Sequence, residues 1–127
     1  EEQEIKQQLD TKYPSRKTTD SGLMYVVEKE GEGTSPVAGQ DVSMHYTGYL
    51  LDGKKFDSSL DRGTPLQFKV DAGQVIKGMD QAVMDMRAGG KRTIIIPPEL
   101  GYGSRGAGGV IPPNSHLVSV IELLEAK

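Results

Sequence analysis

The chain has 127 residues, 26% of them charged, with a formal net charge of −3 and no cysteine. That length fits one domain, which buries roughly two-thirds of its unfolded surface and so builds a real core. The acidic balance argues against a general nucleic-acid binder, no apolar run approaches the ~20 residues of a membrane span, and the lack of cysteine excludes disulfides, thiolate chemistry and cysteine zinc sites while selecting no compartment. The sequence opens on Glu1, not Met, so a processed or trimmed product is expected, with any targeting segment already removed.

Residues 1–19 (EEQEIKQQLDTKYPSRKTT) are polar, with Ile5, Leu9 and Tyr13 at i, i+4 and i+8. This spacing allows a short amphipathic helix ended by Pro14. A frayed, solvated extension and the tail of a dimerisation or spacer helix remain as alternatives. Strands are expected at 23–29 (LMYVVEK) and at Asp41–Leu50, where Val42, Met44 and Tyr46 alternate with Ser43, His45 and Thr47. Asp52–Gly53 is a hairpin-turn signal. Lys55–Ser58 re-enters the sheet, 60–64 reads as a loop, and Leu66, Phe68 and Val70 mark another strand.

At 73–90 (GQVIKGMDQAVMDMRAGG) the period changes. Met79, Ala82, Val83 and Met86 share one helical face, and Asp80, Gln81 and Asp85 the other. Gly89 and Gly90 are the expected stop, with Arg87 at the negative end. No Ser, Thr, Asp or Asn sits just before Lys77 to cap the first turn, which leaves the backbone N–H groups near Ile76–Met79 for another acceptor. Lys91–Ile96 (KRTIII) is a β-branched strand stopped by Pro97 and Pro98. Residues 99–116 form a long Gly/Pro-rich loop, and 117–124 a closing strand with Leu117, Ser119, Ile121 and Leu123 on one face. A single helix among strands predicts an α+β domain whose sheet folds over that helix.

Candidate chemistry is sparse. Residues 101–106 (GYGSRG) spell GxGxxG, but prolines precede them and no helix can open after them, so a phosphate cradle is excluded in favour of a loop framing a pocket, with Tyr102, Val110 and Ile111 as apolar contacts. Two histidines, His45 and His116, have no metal-ligand spacing, and no GxSxG occurs. Asp57 follows Phe56 in a partly buried strand, with Arg62 a few residues on. The pattern allows either an ion pair that holds the loop or a carboxylate at the rim of an aromatic pocket. Lys54, Lys55, Lys91 and Arg92 read as solvated edge charges.

Residues 42–63 (VSMHYTGYLLDGKKFDSSLDRG), 72–83 (AGQVIKGMDQAV) and 89–118 (GGKRTIIIPPELGYGSRGAGGVIPPNSHLV) resemble the FKBP family, the macrolide-binding peptidyl-prolyl cis-trans isomerases. The resemblance runs from about Ser21 to Glu125. It implies an isomerase domain at 20–127, outside which residues 1–19 lie, and a curved five- or six-stranded antiparallel sheet wrapped around one short helix. It also implies a cleft between helix and sheet lined by Tyr46, Phe56, Asp57, Arg62, Phe68, Val75, Ile76, Met79, Tyr102, Val110 and Ile111. In the family the N–H matching Ile76 and the hydroxyl matching Tyr102 bind ligand carbonyls, and the carboxylate matching Asp57 is steadied by Tyr46 and Arg62. Implied partners are proline-containing peptides and proteins and rapamycin-like macrolides; neither cofactor nor metal is implied. Met79 stands where Trp often forms the floor, Leu66 and Ser119 where Phe is common, and Ala107 replaces a larger residue, so a roomier, less aromatic pocket is expected. Rival readings are a binding or holdase chaperone module with weak isomerase activity and a dimeriser acting through residues 1–13.

Overall fold

A computed structural model describes residues 2–126. Helix α1 (Glu2–Lys12) leads into strands β1 (Lys17–Thr18), β2 (Met24–Lys29), β3 (Asp41–Leu50) and β4 (Lys55–Ser58). A single helical turn, α2 (Ser59–Arg62), precedes β5 (Leu66–Lys69), helix α3 (Lys77–Met84), β6 (Lys91–Ile96) and β7 (Leu117–Ala126). The strands form one antiparallel sheet in the order β1-β2-β6-β7-β3-β4, with β5 also on β3. Strand β3 is its spine. One edge of β3 pairs with β7 throughout, and the other pairs first with β5 and then with β4. The seventh strand, beyond the five or six expected, is the two-residue β1, too short for any periodicity to reveal.

Alternation decides what each face of the sheet does. Inward residues Met44, Ile94, Ile96, Leu117, Ile121 and Leu123 close over Met79, Ala82, Val83 and Met86 to make the main core. At Gly78 a Cβ would lie 2.7 Å from Ile96 Cγ2, so only glycine lets α3 approach β6 this closely. The outward residues Ile95 and Val118 are covered by Leu9 of α1, with Ile5, Tyr13, Met24, Tyr49 and Leu51 around them. Helix α1 is therefore a docked amphipathic element, tied further by Lys12 Nζ donating to the Leu51 carbonyl at 2.8 Å. Because both faces of β6 are covered, its sequence reads as an apolar run rather than an alternation.

Five local expectations change. Residues 59–62 form a turn of helix rather than a loop, with Ser58 as N-cap and Gly63 in the left-handed C-cap conformation. Helix α3 ends at Met84 with Asp85 as its cap, before Gly89 and Gly90. Gly89 instead donates its N–H to the Leu123 carbonyl at 2.7 Å, anchoring the return strand. The cation at the helix end is Arg92, not Arg87: it bonds the Asp85 carboxylate at 2.7 Å and the Asp85 carbonyl at 3.0 Å and lies 4.4 Å from the Tyr25 ring centroid. Arg92 is thus a largely covered brace rather than a solvated edge charge. Asp80 is buried rather than solvent-facing, and it accepts the Asp71 N–H at 2.9 Å. Asp71 has φ 59°, and this bond holds the turn that leads to Val75 and Ile76.

Replacing Leu9 by Ala is expected to destabilise the chain by ~2 kcal/mol, the low end for a buried Leu because α1 is packed on one side only. A denaturant titration should show a lower midpoint at nearly unchanged slope. An unchanged midpoint would mean that α1 contributes nothing to the fold.

Candidate functional site

The concave side of the sheet carries apolar side chains that pack on the core around α3. Tyr46, Phe56, Val75, Ile76, Leu66 and Ala107 are partly buried and pack against the core, while Phe68, Met79 and Ile111 lie within it. Seven of the expected site residues therefore belong to the main core cluster or pack against it. A β-bulge places one of them, Phe56. Gly48 pairs with Asp57 and Tyr49 with Lys55, so Phe56 is the extra residue. The bulge re-aims Phe56 onto the inner face, where its ring lies over Gly48. A Cβ on Gly48 would sit 2.6 Å from Phe56 Cζ, so the glycine is what admits the ring.

Asp57 anchors the polar rim. Tyr46 donates its hydroxyl to Asp57 Oδ2, Arg62 Nη1 donates to Oδ1, and the Ser58 N–H reaches Oδ1 at 2.9 Å. Arg62 Nη2 also donates to the Tyr46 hydroxyl at 3.1 Å, with the guanidinium 5.6 Å from the Tyr46 ring centroid. Burial pushes the Asp57 carboxyl up, but the Tyr46 hydrogen bond, the Arg62 charge and the Ser58 N–H outweigh it and hold the group below its ordinary value of 3.8. Burial, followed by the hydrogen bond to Asp57, pushes the Tyr46 hydroxyl above 10.0. Asp57 thus forms the ion pair that its sequence position allowed.

The α2 turn places Arg62. Fully buried Ser59 accepts the Tyr46 N–H at 2.8 Å and lies 2.8 Å from His45 Nδ1, fixing the turn to β3. Sequence reasoning missed Ser59 and Gly48. The capping pattern Ser58-x-x-Asp61 followed by Gly63 was the available signal for the first; nothing local marks Gly48.

Ile76 is the N-cap of α3 without a side-chain cap, and among the described residues its N–H has no acceptor, whereas the Met79 N–H, also expected to be free, bonds the Ile76 carbonyl at 3.0 Å. Tyr102 and Val110 are 39% and 49% exposed and lie outside the main core cluster. Their loop is ordered by its own backbone: Ala107 and Ile111 exchange hydrogen bonds at 2.8 and 3.0 Å, and the Asn114 N–H reaches the Gly103 carbonyl at 2.8 Å. Buried Ile111 pins it to the core.

Comparison with known proteins gives this architecture a context. A family profile described as FKBP-type peptidyl-prolyl cis-trans isomerase matches residues 32–124. FK506-binding protein 2 of Dictyostelium discoideum is 60% identical over 87 residues, 68% of this chain and 65% of that one. An FK506-binding protein of Neisseria meningitidis serogroup B is 51% identical over 104 residues, 82% of this chain and 95% of that one. The crystal structure of AtFKBP13 superposes with a TM-score of 0.85 at 44% identity, covering 89% of this chain and 99% of that one. FkpA from Escherichia coli gives 0.88 at 41% identity, covering 99% of this chain but 59% of FkpA. The match to isomerases favours neither a holdase module nor any other binding module that lacks catalysis.

A carboxylate that binds its proton less tightly when folded stabilises the fold above its unfolded pKa, and that contribution is lost as pH falls through the lower folded value. The stability gap between wild type and Asp57→Asn should therefore be constant from about pH 5 to 8 and shrink below about pH 4. Thermal melts across this range test it; a gap independent of pH would show that the Asp57 charge plays no part.

Proposed function

The chain belongs to the family of FKBP-type peptidyl-prolyl cis-trans isomerases, and from that membership we propose how its own residues carry the reaction. Rotation about an Xaa-Pro bond faces a barrier of ~18–20 kcal/mol and takes tens to hundreds of seconds unaided. No covalent bond need form or break. Water stabilises the charge-separated resonance form that keeps the amide planar. Seating the amide on an apolar wall weakens that stabilisation, and a surface shaped for the twisted amide binds the transition state better than either planar isomer.

In this reading Phe56, Phe68, Val75, Met79 and Tyr102 enclose the prolyl ring, with Val110 and Ile111 shaping the rim beside it. The free Ile76 N–H and the Tyr102 hydroxyl hold the carbonyls that flank the rotating bond. Asp57 is a fixed negative charge rather than a base. Both its oxygens already accept hydrogen bonds, and its lowered pKa makes it a poor proton acceptor near neutrality. The observation that supports the reading most directly is the half-buried wall of Tyr46, Phe56, Val75 and Ile76, rimmed by this held carboxylate and by an N–H without an acceptor. Substrates are proline-containing peptides and proteins, and a rapamycin-like macrolide competes for the same wall.

An assay on short peptides with varied residues before Pro should show acceleration that the macrolide blocks. Phe56→Ala should lower kcat/KM by at least about tenfold, equivalent to ~1.4 kcal/mol of transition-state binding, with the fold intact by circular dichroism. Unchanged rates in a folded variant would refute the assignment. Asp57→Ala is expected to lose less than Phe56→Ala; the reverse order would make the carboxylate, not the apolar wall, the principal source of rate.

A further inference from the structure

Among the described residues, two buried side-chain polar atoms have no hydrogen-bond partner: His116 Nδ1 and Ser119 Oγ. Ser119 is the more informative because of its position. It is 3% exposed and belongs to the inward row of β7. Its register partners are Ile94 on β6 and Gly48 on β3, and Gly48 in turn pairs with Asp57 on β4. Partners in register project from the same face, so Ser119 stands between a fully buried isoleucine and a residue with no side chain. Over that glycine lies the Phe56 ring, the centre of the apolar wall. An unpaired, covered hydroxyl therefore lies one register position from the glycine over which the Phe56 ring sits.

A buried hydroxyl without a partner destabilises the free protein, and a hydrophobic residue of similar size would remove that cost. Met79, in the main core cluster with Phe68 and Ile111, is unbranched and can re-pack around a ligand without breaking a hydrogen bond. We propose that Ser119 is a specificity-determining residue of the cleft, whose hydroxyl hydrogen-bonds a polar substituent on the bound ring, so that the cleft favours hydroxylated prolyl rings. The inference rests on the isomerase reading of this cleft. The chemistry is that of a site built to satisfy a polar group: a ligand that supplies the group gains a hydrogen bond, and one that lacks it leaves the hydroxyl unpaired.

The test uses two peptides that differ only in proline or 4-hydroxyproline at the rotating bond. Their kcat/KM values and their affinities, by titration followed by NMR, are measured for wild type and Ser119→Ala. The hydroxyproline-to-proline ratio should fall about fivefold in the variant, the size of one neutral hydrogen bond. A ratio within twofold of wild type in both measurements overturns the proposal. If wild type binds both peptides but accelerates neither, the isomerase reading fails, and the affinity ratio alone still decides the role of Ser119. A general loss of packing would lower both peptides together and leave the ratio unmoved.

Discussion

The seating of one short helix in the hollow of the sheet is the constraint on which the rest depends. Helix α3 has eight residues, too few to be stable alone. It persists because Met79, Ala82 and Val83 are covered by inward residues of β3, β6 and β7. Gly78 lets its first turn touch Ile96 and come close to the Leu100 carbonyl. That contact fixes where the helix begins. Its N-terminal end carries Ile76, whose N–H has no acceptor among the described residues.

The second consequence concerns the rim. A curved sheet cannot carry an aromatic side chain and a carboxylate from consecutive residues on one face unless its ladder is interrupted. The bulge at Phe56 is that interruption, and Gly48 makes room for the ring it delivers. Asp57 then needs support at an edge strand only four residues long. Support comes from Tyr46 on β3, from Arg62 on the α2 turn, and from the Ser58 N–H. Ser58 also caps that turn, and Ser59 locks it to Tyr46, so the same short segment builds the carboxylate's partners and fixes their positions.

Much of this was legible in the residues. Alternation at Val42, Met44 and Tyr46, the change to helical spacing at Met79, and the lack of a side-chain cap before Lys77 each depend on local chemistry, and each appears in the structure. The misread side chains are those whose environment comes from a distant partner. Arg92 looks like an edge charge until Asp85 and Tyr25 cover it. Asp80 lies on the polar arc of a helical wheel, yet the turn at Asp71 needs its oxygen. Residues 59–62 carry a capping pattern too short to outweigh a loop reading. Among the site residues, the apolar set was identifiable through its resemblance to a family, whereas Ser59 supports Arg62 only through a strand thirteen residues earlier.

The back of the sheet follows from the same geometry. In β6, Ile94 and Ile96 point toward α3 and Ile95 points away. An exposed Ile95 beside Val118 would form an apolar strip on the outer face. Leu9 of α1 covers it, and Tyr49 and Leu51 close the margin. One sheet therefore carries two apolar layers of unequal size, and their separation has a functional consequence. The inner layer can stay partly open around Phe56 and Val75 because much of the fold's buried surface lies elsewhere: deeper in the main core and beneath α1. A partly exposed apolar layer is a local defect in packing, and the buried main core together with the Leu9 contact on Ile95 and Val118 offsets it.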